Sequence, residues 1–109
     1  MAAEYTPQEV AEHQAAHSIQ LIDVREGYEW EAGRIEGARH IALTELGAQA
    51  STIGRDRPVV FYCRSGARSA MATEALLQAG YEAHNMTGGM LQWQAAGLEM
   101  EPADGVVAG

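Results

Sequence analysis

Pro58-Val59-Val60-Phe61-Tyr62-Cys63-Arg64-Ser65-Gly66-Ala67-Arg68-Ser69 passes from a short apolar run without alternation into a polar turn. A β-rich run of that kind reads as a strand buried on both faces, the central position of a parallel sheet. Beyond the turn, Ala72, Ala75, Leu76 and Ala79 fall on one face of an amphipathic helix, and Gly80 stands where a C′ glycine stops it. Cys63, the only cysteine in the chain, therefore sits at the carboxyl end of a strand and before a helix N-terminus. An open α/β sheet binds its ligands there, and unpaired N–H groups with the helix dipole stabilise an anion. Arg64 and Arg68 flank the same turn. Each of these effects lowers a thiol pKa. A lone cysteine is in most proteins a small buried hydrophobe. Here the position, the arginine pair and the glycine turn make Cys63 a thiolate in a surface turn.

Working outward, Thr6-Pro7-Gln8-Glu9 is a capping box with proline at the first helical position, opening a helix to about His17. Ile19 to Val24 reads as a strand, Glu26 to Ala32 as a short helix stopped by Gly33, and Ala38 to Ile41 as a brief strand. Another helix starts at Thr44-Glu45-Leu46. A last strand spans Tyr81 to Met86, Gly88-Gly89 forms a turn, and Met90 to Ala96 forms a final helix closed by Gly97. Alternating strands and helices imply a mostly parallel sheet with helices on both faces. Residues 1–100 form one domain, and the aperiodic stretch 101–109 is expected to be a flexible tail.

The 109 residues and a hydrophobic fraction of 47% suit one globular domain. A net charge of −8, from seven arginines and no lysine against fifteen acids, argues against nucleic acid and anionic membrane surfaces as partners. Two cationic residues in one turn of an acidic chain suit a small anionic substrate. One cysteine excludes an internal disulfide and leaves no resolving thiol. With no apolar leader pattern and no run of about 20 apolar residues, the chain is expected to be soluble and cytoplasmic, in a reducing compartment.

A thiolate in a glycine-containing anion site suits attack either at phosphorus or arsenic, or at sulfur. Cysteine phosphatases place five residues between cysteine and arginine, whereas four separate Cys63 from Arg68. The shorter ring suits one sulfur atom better than a phosphoryl group.

Asp23-Val24-Arg25-Glu26, Gly33-Arg34-Ile35-Glu36-Gly37-Ala38, Cys63 through Ser69, and Gly88-Gly89-Met90-Leu91-Gln92-Trp93 occur in that order. Together they resemble the single-domain rhodaneses, a sulfurtransferase family, over about residues 4–100. The resemblance implies a five-stranded, mostly parallel rhodanese-like α/β sheet flanked by helices. It also implies Cys63 as the catalytic residue, taking a sulfane sulfur from thiosulfate or a related donor as a persulfide. The active loop then maps onto Arg64, Ser65, Gly66, Ala67, Arg68 and Ser69, which bind the substrate. Cyanide or a thiol takes the sulfur, a sulfur-acceptor protein is a further partner, and neither metal nor organic cofactor is required. Arg34 stands where many relatives carry histidine, and no proline follows Ile41.

The remaining candidates read as structural. Asp23 and Arg25 suit an ion pair orienting loops, and Glu29 is placed with them. His13 and His17 have a zinc spacing but lack the glutamate of the metalloprotease motif and a third ligand. His40 and His84 are assigned to packing or the surface, and Trp30, Met90 and Trp93 to the core and loop backing. Two rivals stay open: a non-enzymatic sulfur-carrier or interaction module, and a cysteine phosphatase or arsenate reductase.

Overall fold

The computed structural model describes residues 4–109; Met1 to Ala3, the start of the expected domain, lie outside the described residues. Its architecture follows from a few local signals. Thr6 caps α1 (Pro7–Ala15), its hydroxyl accepting from Glu9 N while Glu9 Oε1 accepts from Thr6 N at 2.9 Å. The helix ends two residues before the expected His17, whose φ of 55° breaks the helical path. His13 and His17 therefore do not share a helix face, and His13 stacks on Tyr5 and pairs with Ser18.

The strands are β1 (Glu4–Tyr5), β2 (Gln20–Asp23), β3 (Arg39–His40), β4 (Val59–Tyr62) and β5 (Ala83–Met86). They pair in the order β1-β5-β4-β2-β3, every pair parallel. The Val59 run is the central strand, and all four of its residues are buried. The sequence did not expose β1: two residues carry no period of their own, and only pairing with Asn85 and Met86 makes them a strand.

Alternation along β4 divides the core. Val59, Phe61 and Cys63 face Ala72 and Leu76 of α4 (Ala67–Gln78) and Leu46 of α3 (Leu46–Gln49). Val60 and Tyr62 face Val10 of α1 and Met90 and Trp93 of α5 (Gly89–Ala95). The expected helix at Thr44 is broken by 3-10 turns at Leu43–Glu45 and Ala50–Thr52 on either side of α3. No helix among the described residues is long and apolar enough to cross a membrane.

From Glu101 onward, where a flexible tail was expected, the chain makes defined contacts. Glu101 and Arg34 exchange backbone bonds of 2.7 and 3.0 Å, and Val106 N donates to Ala32 O at 2.9 Å. Gly33 permits this crossing, because a Cβ there would fall 2.7 Å from Val106 O. Backbone bonding of this kind leaves no periodic side-chain pattern to read.

Asp23 and Arg25 form the ion pair that their spacing suggested. Both are fully buried, with Arg25 Nη2 2.7 Å from Asp23 Oδ2 and from Gly33 O. The pair joins the end of β2 to the turn after α2 (Gly27–Ala32). Burial pulls the Arg25 pKa down, but the Asp23 bond and charge outweigh it and leave it above its usual value. Removing one partner leaves an uncompensated buried charge. Asp23→Ala should therefore lower the unfolding free energy by about 3–5 kcal/mol in a urea titration. The double variant Asp23→Leu/Arg25→Met should recover part of that loss.

Candidate active site

The end of β4 delivers Cys63 beneath the turn it opens, on the α4 side of the sheet. The turn was expected at the surface, but Cys63 itself is 1% exposed, drawn in by the donors around its sulfur. Gly66 N donates to Cys63 Sγ at 3.1 Å, Ser69 N at 3.4 Å, and Ser69 Oγ at 3.3 Å. Gly66 has φ 112°, a conformation that favours glycine and turns its N–H toward the sulfur. Burial pushes the thiol pKa up. Bonds from the Ser69 hydroxyl and from the N–H groups of Ser69, Gly66 and Ser65 more than reverse it, so the net shift is downward. Hydrogen bonds to the sulfur, not arginine charge, lead the downward shift.

The carbonyls of the same turn are held on its outer side. Met90 N donates to Cys63 O at 2.9 Å and Leu91 N to Arg64 O at 3.0 Å, using N–H groups that the first turn of α5 leaves free. This approach needs Gly89, whose φ is 57° and whose Cβ would fall 2.6 Å from Arg64 O and against Cys63 O. Gly88-Gly89, read from sequence as a plain turn, is thus the clamp on the loop.

The two loop arginines differ. Arg68 is bound to Glu29 of α2 by two parallel bonds, Nη1 to Oε1 at 2.7 Å and Nη2 to Oε2 at 3.0 Å. Glu29 is 2% exposed, and its Oε1 also accepts from Glu26 N at 3.0 Å. Arg68 is therefore committed to holding α2 on the loop. Arg64 is half-buried, and its Nε is buried without a hydrogen-bond partner. Ser65 and Ala67 lie exposed on the loop, and Ser69 is buried beneath it.

Asn85 of β5 was not singled out from the sequence. It is 5% exposed, and its Nδ2 donates to Gly66 O at 3.3 Å. A polar residue in the otherwise packable run Ala83-His84-Asn85-Met86 was the available signal. His40 and His84 have partners of their own. His40 donates to Arg25 O and stacks on Trp30, while His84 stacks on Tyr5 and pairs with Glu82. No cluster of metal-ligating side chains occurs among the described residues. A groove of about 700 Å3 between α1 and the Ile35–Arg39 stretch shares no lining residue with the Cys63 loop.

The sequence pattern of the rhodanese-like domain matches residues 6–96. The chain belongs to the rhodanese-like domain family. It is 44% identical over 75 residues to the uncharacterized protein YqhL of Bacillus subtilis, covering 68% of this chain and spanning 60% of that protein's length. It is 33% identical over 104 residues to the thiosulfate sulfurtransferase GlpE of Actinobacillus succinogenes, with 94% of each chain covered. A rhodanese-related protein of Thermoplasma volcanium has the same fold, with TM-score 0.83 at 28% identity over 89% of this chain and 95% of that one. The five-stranded parallel sheet with helices on both faces is thus the rhodanese fold.

The Glu29–Arg68 pair carries a pH signature in this rhodanese domain. The Arg68 bond, opposed by burial and helped by Glu26 N, holds the Glu29 carboxyl below its usual 4.5. A carboxylate with a depressed folded value stabilises the fold fully above its unfolded pKa, and the gain is lost as pH falls through the folded value. Urea midpoints should therefore decline below about pH 4.5 in the wild type, and the decline should be shallower in Glu29→Gln. Parallel pH profiles would assign the acid loss elsewhere.

Proposed function

We propose that this protein is a sulfurtransferase that carries sulfane sulfur on Cys63 as a persulfide, taken from thiosulfate or a related anionic donor. The observation that carries the reading is the set of three donors converging on one sulfur, from Gly66 N, Ser69 N and Ser69 Oγ. Such a ring stabilises a thiolate before the reaction and a persulfide anion after it, as an oxyanion hole stabilises oxygen. Similarity to the Actinobacillus thiosulfate sulfurtransferase over nearly the whole chain supports the same chemistry.

In the first step the Cys63 thiolate attacks the outer sulfur of thiosulfate. A new S–S bond forms, the donor's S–S bond breaks, and sulfite leaves with the electron pair. In the second step a thiolate or cyanide attacks the terminal sulfur of the persulfide and Cys63 returns as a thiolate. Two half-reactions sharing one covalent intermediate give ping-pong kinetics. Every proton and electron is accounted for by donor, cysteine and acceptor, so the route requires no metal or organic cofactor.

Arg64 has the part of binding the sulfonate oxygens, because its guanidinium is not committed to a carboxylate. Arg68 has the part of holding loop shape through Glu29. This divides roles that the sequence had assigned equally to both.

Mass spectrometry after thiosulfate treatment should show the wild type heavier by one sulfur atom, with cyanide removing it, while Cys63→Ser stays unmodified and folded. Arg64→Ala should lower kcat/KM for thiosulfate by about tenfold or more, the worth of one charge-assisted bond, and spare a neutral persulfide donor. Arg68→Ala should impair both donors alike and lower the melting temperature. Loading without turnover by any small acceptor would favour a sulfur-carrier module. Efficient hydrolysis of aryl phosphates with no response to thiosulfate would replace the sulfur reading by a phosphatase one.

A further inference from the structure

The carbonyl oxygen of Gly66 has more donors than it can serve. Ala70 N lies at 3.0 Å, Ser69 Oγ at 3.2 Å and Asn85 Nδ2 at 3.3 Å. A carbonyl oxygen offers two lone pairs. Ala70 N is fixed by the first turn of α4, so the second place falls to either Ser69 or Asn85. Ser69 has one hydroxyl hydrogen and a second acceptor in reach, Cys63 Sγ at 3.3 Å. Asn85 has no comparable choice. Its amide faces two acceptors, Gly66 O and Glu4 Oε2 at 3.5 Å, which fixes Nδ2 on that side, while Oδ1 is buried without a partner.

We infer that Asn85 is a positioning residue: by filling the second lone pair of Gly66 O, it leaves the Ser69 hydroxyl hydrogen for the Cys63 sulfur. One of the three donors in the cradle, the Ser69 hydroxyl, thus depends on a side chain from a different strand. The inference deepens the sulfur-transfer reading and rests on it for what the cradle is for, but not for the hydrogen-bond geometry.

The charged groups around this network are Arg64 and Arg68 in the loop, Glu29 of α2 and Glu4 of β1. A neutral substitution at position 85 leaves all four in the chain. A shift in thiol titration on such a substitution therefore reports the hydroxyl, not a changed charge.

The test is the pH titration of thiolate ultraviolet absorbance, readable here because the chain has one cysteine. Asn85→Leu, close in shape, and Asn85→Ala, as a second packing solution, should each raise the midpoint by about half to one pH unit, the worth of one hydrogen bond. Ser69→Ala should also raise it. In the Ser69→Ala background, Asn85→Leu should add distinctly less than it does alone, because the hydroxyl through which it acts is gone. An unchanged midpoint in both Asn85 variants overturns the inference. So does a full-sized additive shift in the double variant, since Asn85 would then act independently of Ser69. The titration uses no sulfur donor. Coupled midpoints support the inference even where thiosulfate leaves no persulfide, a result that would count against the transfer reading alone.

Discussion

Two backbone bonds hold the turn around Cys63: Met90 N to Cys63 O and Leu91 N to Arg64 O. A peptide unit is planar, so fixing a carbonyl fixes the N–H on the opposite side. The free N–H groups at the start of α5 take the first two carbonyls of the turn, while Ala70 and Asn85 take that of Gly66. The Arg64 carbonyl shares its plane with the Ser65 N–H, one of the groups that lower the Cys63 pKa. The Gly66 and Ser69 N–H groups that donate to the sulfur belong to peptide units further along the turn. Three short elements supply the restraint: α5 from one face, α4 from the other, and β5 between them.

Charge is distributed with similar economy. Arg25, Arg34, Arg39, Arg55, Arg57 and Arg68 each donate to an acceptor within the fold. Arg64, with a buried Nε left unbonded, is the exception among the described residues, and it adjoins Cys63. In a chain of net charge −8, most anions meet repulsion at long range. The small anionic donor proposed above would be favoured where an uncommitted guanidinium and converging N–H groups act over a few ångströms, inside the screening length of about 8 Å at physiological salt. A polyanion would gain the same contacts and bear the repulsion of the whole surface.

The sequence exposed what is local. The capping box at Thr6, the buried run at Val59, the cysteine turn and the amphipathic α4 were legible because each signal spans neighbouring residues. The division between Arg64 and Arg68 was not. It depends on Glu29, thirty-nine positions from Arg68, and no spacing rule joins them. Asn85 was missed for the same reason, as its partner Gly66 lies on another element. β1 and the path beyond Glu101 escaped notice because backbone groups hold them, and backbone groups are the same in every residue. Position in a turn suggested an exposed thiol at Cys63, since nothing local reveals a covering loop.

The course of the last residues has an architectural consequence. After crossing Gly33, the chain reaches Tyr28, whose hydroxyl donates to Gly109 O at 3.2 Å, and a Cβ on Gly109 would lie 4.0 Å from Arg64 Nη2. Polypeptide joined after Gly109 would thus begin beside the loop mouth. A thiol carried on a short flexible extension there would meet Cys63 at an effective concentration in the millimolar range, converting an encounter between two molecules into an intramolecular one.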